Sequence, residues 1–202
     1  MPLDILMTIL SIILMGDTVL FPDDRIHQIL GMILLALWAL HIMLNHRWYR
    51  VILKGKYNAR RIMQTAINCG ILICAVLLMI SGLMMAWFVP SEIVGSALGF
   101  ARTTHLLSSH WYYIFMAFHL GLHASMIANK MKIHGIIPRV ICILISLYGV
   151  YAFIIRGLWK YMFLQQQFFF LDLERGYLLF VLDYLSILML FAVISHFLAK
   201  EI

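Results

Sequence analysis

The chain has 202 residues, 64% of them hydrophobic and 12% charged, and its mean hydropathy is +0.96. A water-soluble domain of this length cannot bury that much apolar surface, so composition excludes a soluble globular protein and makes the bilayer the solvent. The net charge of +6 would suit an acidic partner, but the basic residues are sorted by loop, so basicity reports topology and no nucleic-acid partner is expected.

Six apolar runs are read as spans of a hydrocarbon core about 30 Å thick. In chain order they cover approximately 5–20, 26–44, 62–89, 105–127, 136–155 and 177–198. The first is the shortest. It lacks the basic n-region and small-residue cleavage site of a signal peptide, and Asp17 and Pro22 follow it, so it counts as a span. The connection 47–61 carries Arg47, Arg50, Lys54, Lys56, Arg60 and Arg61 without an acid. Lys130, Lys132 and Arg139 follow the fourth run, again without an acid. Asp17, Asp23, Asp24 and Arg25 share the first connection, Glu92 and Arg102 the third, and Arg156, Lys160, Asp172, Glu174 and Arg175 the fifth. The positive-inside rule then places both termini and the two basic connections in the cytoplasm. No linker or low-complexity tract divides the chain, so residues 1–202 are expected to form one all-α integral membrane domain, a six-span bundle. Cys69, Cys74 and Cys142 fall inside apolar runs without metal-knuckle spacing, and are read as small buried hydrophobes.

Histidine is distributed with a pattern. His27 and His41 are fourteen residues apart on the second run, and His105 and His119 are fourteen apart on the fourth. Fourteen residues fall about 40° short of four helical turns, so each pair shares a face, its members about 21 Å apart along the axis. The two runs point the same way, which puts His27 and His105 at the outer level and His41 and His119 at the inner level. Facing one another, these helices would present two stacked pairs of opposed imidazoles, the arrangement of bis-histidine haem ligation. No acidic or cysteine ligand stands at either depth, which argues against zinc or a di-iron carboxylate site. Gly31, one turn after His27, would let a flat macrocycle approach the backbone. Leu34 and Trp38 continue that stripe, and Ser109, Tyr112 and Met116 continue the one on the fourth run; such stripes are also ordinary membrane-helix packing. A lone intramembrane histidine is more often a structural hydrogen-bonding group. Four in two depth-matched pairs weigh the other way, because each intramembrane ionisable group is costly and needs a partner. Two b-type haems are therefore expected.

The stretches "HQILGMILLALWALHIMLNHRWY" (27–49), "RTTHLLSSHWYYIFMAFHLGLH" (102–123) and "YGVYAFIIRGLWKYMFL" (148–164) resemble the flavinylation-associated cytochromes, a bacterial membrane family long filed under unknown function. The resemblance covers nearly the whole chain and keeps the order of the motifs. It implies a di-haem b-type cytochrome of the bacterial cytoplasmic membrane, working with extracytosolic flavoproteins that carry covalently attached FMN. The carry-over lands on His27, His41, His105 and His119, and His123 completes the family's H-x-G-x-H pattern. His46, where the family more often has an aromatic residue, and His110 depart from that pattern. More distantly, the paired spacing looks like the four-helix core of the quinol-oxidising cytochromes b, a shared way of holding two haems.

Several further residues are candidates. His123 lies one turn past His119 and would sit about 6 Å below His41; depth matching favours His119 as ligand and leaves His123 as a neighbour, propionate or quinone contact. His46 and His110 stand about 140° from the nearest ligand on their helices and are read as interfacial or helix-contact residues, as His134 and His196 are read as solvated or interfacial. Arg102, one turn before His105, is a partner for an outer haem propionate, and Arg47 and Arg50 for an inner one; interfacial anchoring is the plainer reading of all three. Asp183 is the one acid deep within a span, and is read either as a proton acceptor for a quinol, as a support for a histidine, or as a protonated buried hydrogen-bonding group. The aromatic- and glutamine-rich segment from 157 to about 171 is expected to lie on the outer surface, over the outer haem, against a flavoprotein, or simply packed at the interface.

These readings converge on transmembrane electron transfer, from membrane quinol or a cytoplasmic reductase, through two haems, to an extracytosolic flavoprotein. No glycine loop for a nucleotide is present, so NAD(P)H or flavin chemistry would sit on a partner. Two rivals are a membrane-anchor cytochrome b subunit that delivers electrons from a dehydrogenase or hydrogenase to quinone, and a haem-free transporter or structural subunit.

Overall fold

The computed structural model describes residues 2–16, 23–132, 135–168 and 176–202, with the side chain of Ser91 excepted. Asp17, Pro22, His134, Asp172, Glu174, Arg175 and the ends of the first span and of the outer aromatic segment lie outside them. Every element among the described residues is a helix: α1 (Pro2–Leu14), α2 (Asp24–Leu44), α3 (His46–Val51), α4 (Ala59–Met84), α5 (Ser91–Val94), α6 (Ala97–Leu122), α7 (Ala124–Met131), α8 (Ile136–Ile155), α9 (Leu158–Met162) and α10 (Gly176–Glu201). Helix starts follow local chemistry. Asp23 caps α2 by accepting from the Arg25 backbone N–H at 2.9 Å, and Asn58 caps α4 by accepting from that of Arg61 at 2.9 Å.

Four helices, α2, α4, α8 and α10, are long and apolar enough to cross a membrane, which makes this a multi-pass helical protein by length and composition. The six runs of the sequence reduce to these four for two physical reasons. α1 has 13 residues and reaches only about 20 Å. α6 is 26 residues long, but its three histidines, its Ser–Ser pair and its threonines lower its hydropathy. Those polar groups turn inward. α6 packs between α4 and α10, and α8 packs on the far side of α10. Tyr113, Ile114, Ala117 and His110 of α6 are all buried.

The boundaries of the fourth run also differ from the expected ones. The helix begins at Ala97, two turns early, and ends at Leu122, with His123 as both its C-cap and the N-cap of α7. The polar Arg102–Thr104 stretch is thus helical rather than loop. The basic connection after α2 contains a turn of helix as well, because Asn45 bends the chain and its side-chain amide donates to the His41 carbonyl at 2.8 Å.

Small residues set how closely the central helices approach. A Cβ placed on Gly121 of α6 would collide with the Ala192 carbonyl and the Ser195 hydroxyl of α10, and one on Gly149 of α8 with the Ser186 carbonyl of α10. Ser195 uses that proximity to donate to the Phe118 carbonyl across the interface at 2.8 Å. In lipid, close backbone approach and inter-helix hydrogen bonds hold helices together where water would have used apolar burial. α2 is held differently. It packs chiefly on α1 and lightly on α4, so its histidine face is not closed against α6 by helix packing.

Candidate cofactor site: two opposed histidine pairs

The structure brings together His27 with His105 and His41 with His119. The rings of the first pair have centroids 6.3 Å apart and planes at 63°; those of the second are 6.5 Å apart at 77°. A ring atom lies about 1.2 Å from the centre of an imidazole, so facing nitrogens come no nearer than about 4 Å. That is beyond hydrogen-bond reach. It equals two metal–nitrogen bonds of about 2 Å each. At that nearest approach, each pair of rings leaves room for one metal ion between two imidazole nitrogens. Among the described residues no group of three or more His, Cys, Asp or Glu could hold a metal ion.

Three of the rings have a polar partner at Nδ1. Ser81 on α4 gives its proton to the Leu77 carbonyl at 2.6 Å and offers its oxygen to His105 Nδ1 at 3.1 Å. The Asn68 side-chain carbonyl, also on α4, accepts from His119 Nδ1 at 2.9 Å. Asp4 of α1 accepts from His41 Nδ1 at 3.0 Å. With the proton on Nδ1, each of these partners would accept it and leave the Nε2 lone pair free, the tautomer that ligates a metal through Nε2 while a polar partner orients the ring. Gly82 packs beside the His105 ring, where a Cβ would lie 3.4 Å from it, in contact but without collision. At Gly31 a Cβ would meet nothing within 4 Å. The space between the two levels is filled from both helices and from α1: Leu34 packs with Met7 and Leu10, while Tyr112 and Met116 are buried with Ile12 and Met15.

Sequence reasoning missed Asp4, Ser81 and Asn68. For the last two a signal exists, because they are thirteen residues apart on one antiparallel helix, which matches the fourteen-residue rise between His105 and His119. Asp4 carries no such mark, since it stands just ahead of the first apolar run, which shows no polar periodicity.

The other candidates fall outside the opposed pairs. His123 stands at the α6–α7 junction with its ring 4.8 Å from that of His119, beside the second pair rather than across it. Arg102 is exposed one turn before His105, and Arg47 and Arg50 are exposed on α3. His46 is exposed, its Nδ1 2.9 Å from the Met43 carbonyl, and His196 is half-buried near the end of α10. Of the cysteines, Cys74 is buried and Cys69 and Cys142 are half-buried; all three are free thiols.

His110 is a buried helix-contact residue, with its ring stacked on Tyr161 of α9 at 4.5 Å and 23°. That contact and the bond from Trp111 Nε1 to the Met162 carbonyl, 3.0 Å, seat the outer aromatic segment on a face of α6 turned away from the paired rings. Leu158, Tyr161 and Met162 are consequently buried, whereas Phe163 and Phe168 are exposed. Asp183 is fully buried and ionically paired. Arg156 Nε donates to its Oδ2 at 2.8 Å and Tyr148 to its Oδ1 at 2.6 Å. The sequence had put Arg156 in the outer connection, but it ends α8 and turns inward, its side chain 5% exposed. A carboxylate with an arginine against it needs no protonation to be buried.

No family model, curated protein or solved structure matches the chain.

Proposed function

We propose that this chain is a transmembrane electron-transfer cytochrome that holds two b-type haems, one between His27 and His105 and one between His41 and His119. The observation that carries the proposal is the width of the two gaps, 6.3 and 6.5 Å between ring centres, each too wide for a hydrogen bond and right for one ion with two axial nitrogens. Bound there, each haem supplies a one-electron couple. His27, His41, His105 and His119 are the ligands. Ser81, Asn68 and Asp4 hold three of the rings in the ligating tautomer and orientation. The unclosed α2–α6 face gives a flat group room to enter.

In this reading α1 and α6 complete six crossings, α6 with its polar groups shielded by α4 and α10, and both termini are cytoplasmic because the acid-free basic connections belong inside. The inner pair is then His41–His119 and the outer pair His27–His105. Electrons enter from a membrane quinol or a cytoplasmic reductase and leave to an extracytosolic flavoprotein with bound FMN, the partner class implied by the sequence resemblance. Arg102, Arg47 and Arg50 sit at the two membrane levels where propionates would emerge.

A reduced-minus-oxidised spectrum of the purified protein tests the proposal. A b-type signal is expected, with a flavinylated lipoprotein as the copurifying partner. An iron–sulfur partner would instead select the anchor-subunit reading, and a colourless protein the haem-free one.

A further inference from the structure

Of the three Nδ1 partners, Ser81 is a hydroxyl and Asn68 an amide, whereas Asp4 is ionised. The His41–Asp4 contact, 3.0 Å, joins a half-buried imidazole to the first helix of the chain, whose buried side chains are otherwise the apolar Met7, Leu10 and Ile12 and the uncharged Ser11. A carboxylate that accepts the Nδ1 proton makes the ligand more basic and raises the electron density at Nε2. Its negative charge also favours the oxidised, more positive state of a metal on the other side of the ring. Histidine alone would give the two levels the same axial ligands, so what stands behind each ring is a lever by which this chain sets them apart.

We infer that Asp4 is a positioning residue that lowers the potential of the inner site, making electron passage from the inner to the outer level downhill; the inference rests on the two-haem reading above. With haem bound at both levels, one electron taken from the donor by the inner haem would pass to the outer one and leave the inner haem oxidised again; His41 would hold the inner haem, with Asp4 at its Nδ1. The exposed Arg47 and Arg50, past His41 on α3, pull the potential the other way, as does the N-terminal ammonium, which also interacts with Asp4; solvent screening weakens the arginines and, at 42% exposure, Asp4 too.

A potentiometric titration of the purified haem-loaded protein, followed optically, is the test. In Asp4→Asn, with both haems retained, the inner component should rise so that its reduced-to-oxidised ratio at fixed potential increases about tenfold, about 59 mV for a one-electron couple. The outer component should stay in place, and Asp4→Glu should restore the inner one. The His27→Ala variant, which keeps the inner site alone, assigns the components. It should titrate at the lower of the two wild-type potentials, and this serves as the test if Asp4→Asn loses the inner haem. Two retained haems with unmoved potentials, or an inner site at the higher potential, would overturn the inference while leaving the di-haem reading intact. A wild-type protein without haem would remove that reading itself.

Discussion

His119 and His123 stand one turn apart with ring centres 4.8 Å from each other, but only His119 is both opposed to His41 and gripped from behind by Asn68. His119→Ala should therefore lose one haem per chain, and His123→Ala should keep two, as counted by a pyridine haemochrome assay. Asn68→Leu fills the same volume without the acceptor. It should weaken retention of the inner haem by about 10- to 100-fold, the usual effect of removing a partner behind a metal-bound histidine, read from haem loss to apomyoglobin. The histidines themselves were legible because a fourteen-residue period survives in sequence. Asp4, Arg156 and Tyr148 were not, because their contacts join elements whose mutual placement no local pattern encodes. Asp183 illustrates the consequence: a lone acid in an apolar run reads equally as a proton acceptor, a support for a histidine or a protonated hydrogen-bonding group, and only the fold brings in its arginine, 27 residues away.

At the scale of elements, α6 shows how composition misleads. Its histidines, serines and threonines lower its hydropathy, yet it packs between α4 and α10, with Ser108 and His110 buried and its other histidines, Ser109 and the threonines half-buried. Its neighbours are held by small residues and one buried ion pair. Gly149→Leu should force α8 from α10, costing about 1–3 kcal/mol as overpacking does, seen as a lower thermal midpoint in detergent. Asp183→Asn and Arg156→Leu should each cost more, about 3–5 kcal/mol, by leaving a buried charge unpaired. Combining an apolar substitution at both positions should recover part of that loss, and the haem content of all three proteins should be unchanged. An Asp183→Asn variant that stays as stable as the parent but loses quinol oxidation would return that residue to proton handling. The short helices α3 and α9 were read as connection and interfacial segment; their helical turns depend on contacts such as the His110–Tyr161 stack that a linear reading does not reveal.

For the whole molecule, the membrane class was legible in composition, because 64% hydrophobic residues leave no aqueous solution to the packing problem. The number of crossings was less legible. A 13-residue α1 and a polar-lined α6 satisfy no length-and-apolarity rule, and only their neighbours decide whether lipid or protein surrounds them. In the proposed topology, drawn from loop charge, a cysteine placed at Lys54 should be protected from a membrane-impermeant thiol reagent in intact cells, while one at Glu92 should be labelled. The reverse pattern would invert the molecule and exchange the inner and outer sites.

Haem stoichiometry across the ligand variants tests the central claim most directly. The account predicts two haems per chain in the parent, one in His27→Ala and in His105→Ala, one in His41→Ala and in His119→Ala, and none when both pairs are broken. Parent protein without haem, or variants within a pair that lose different haems, would contradict it.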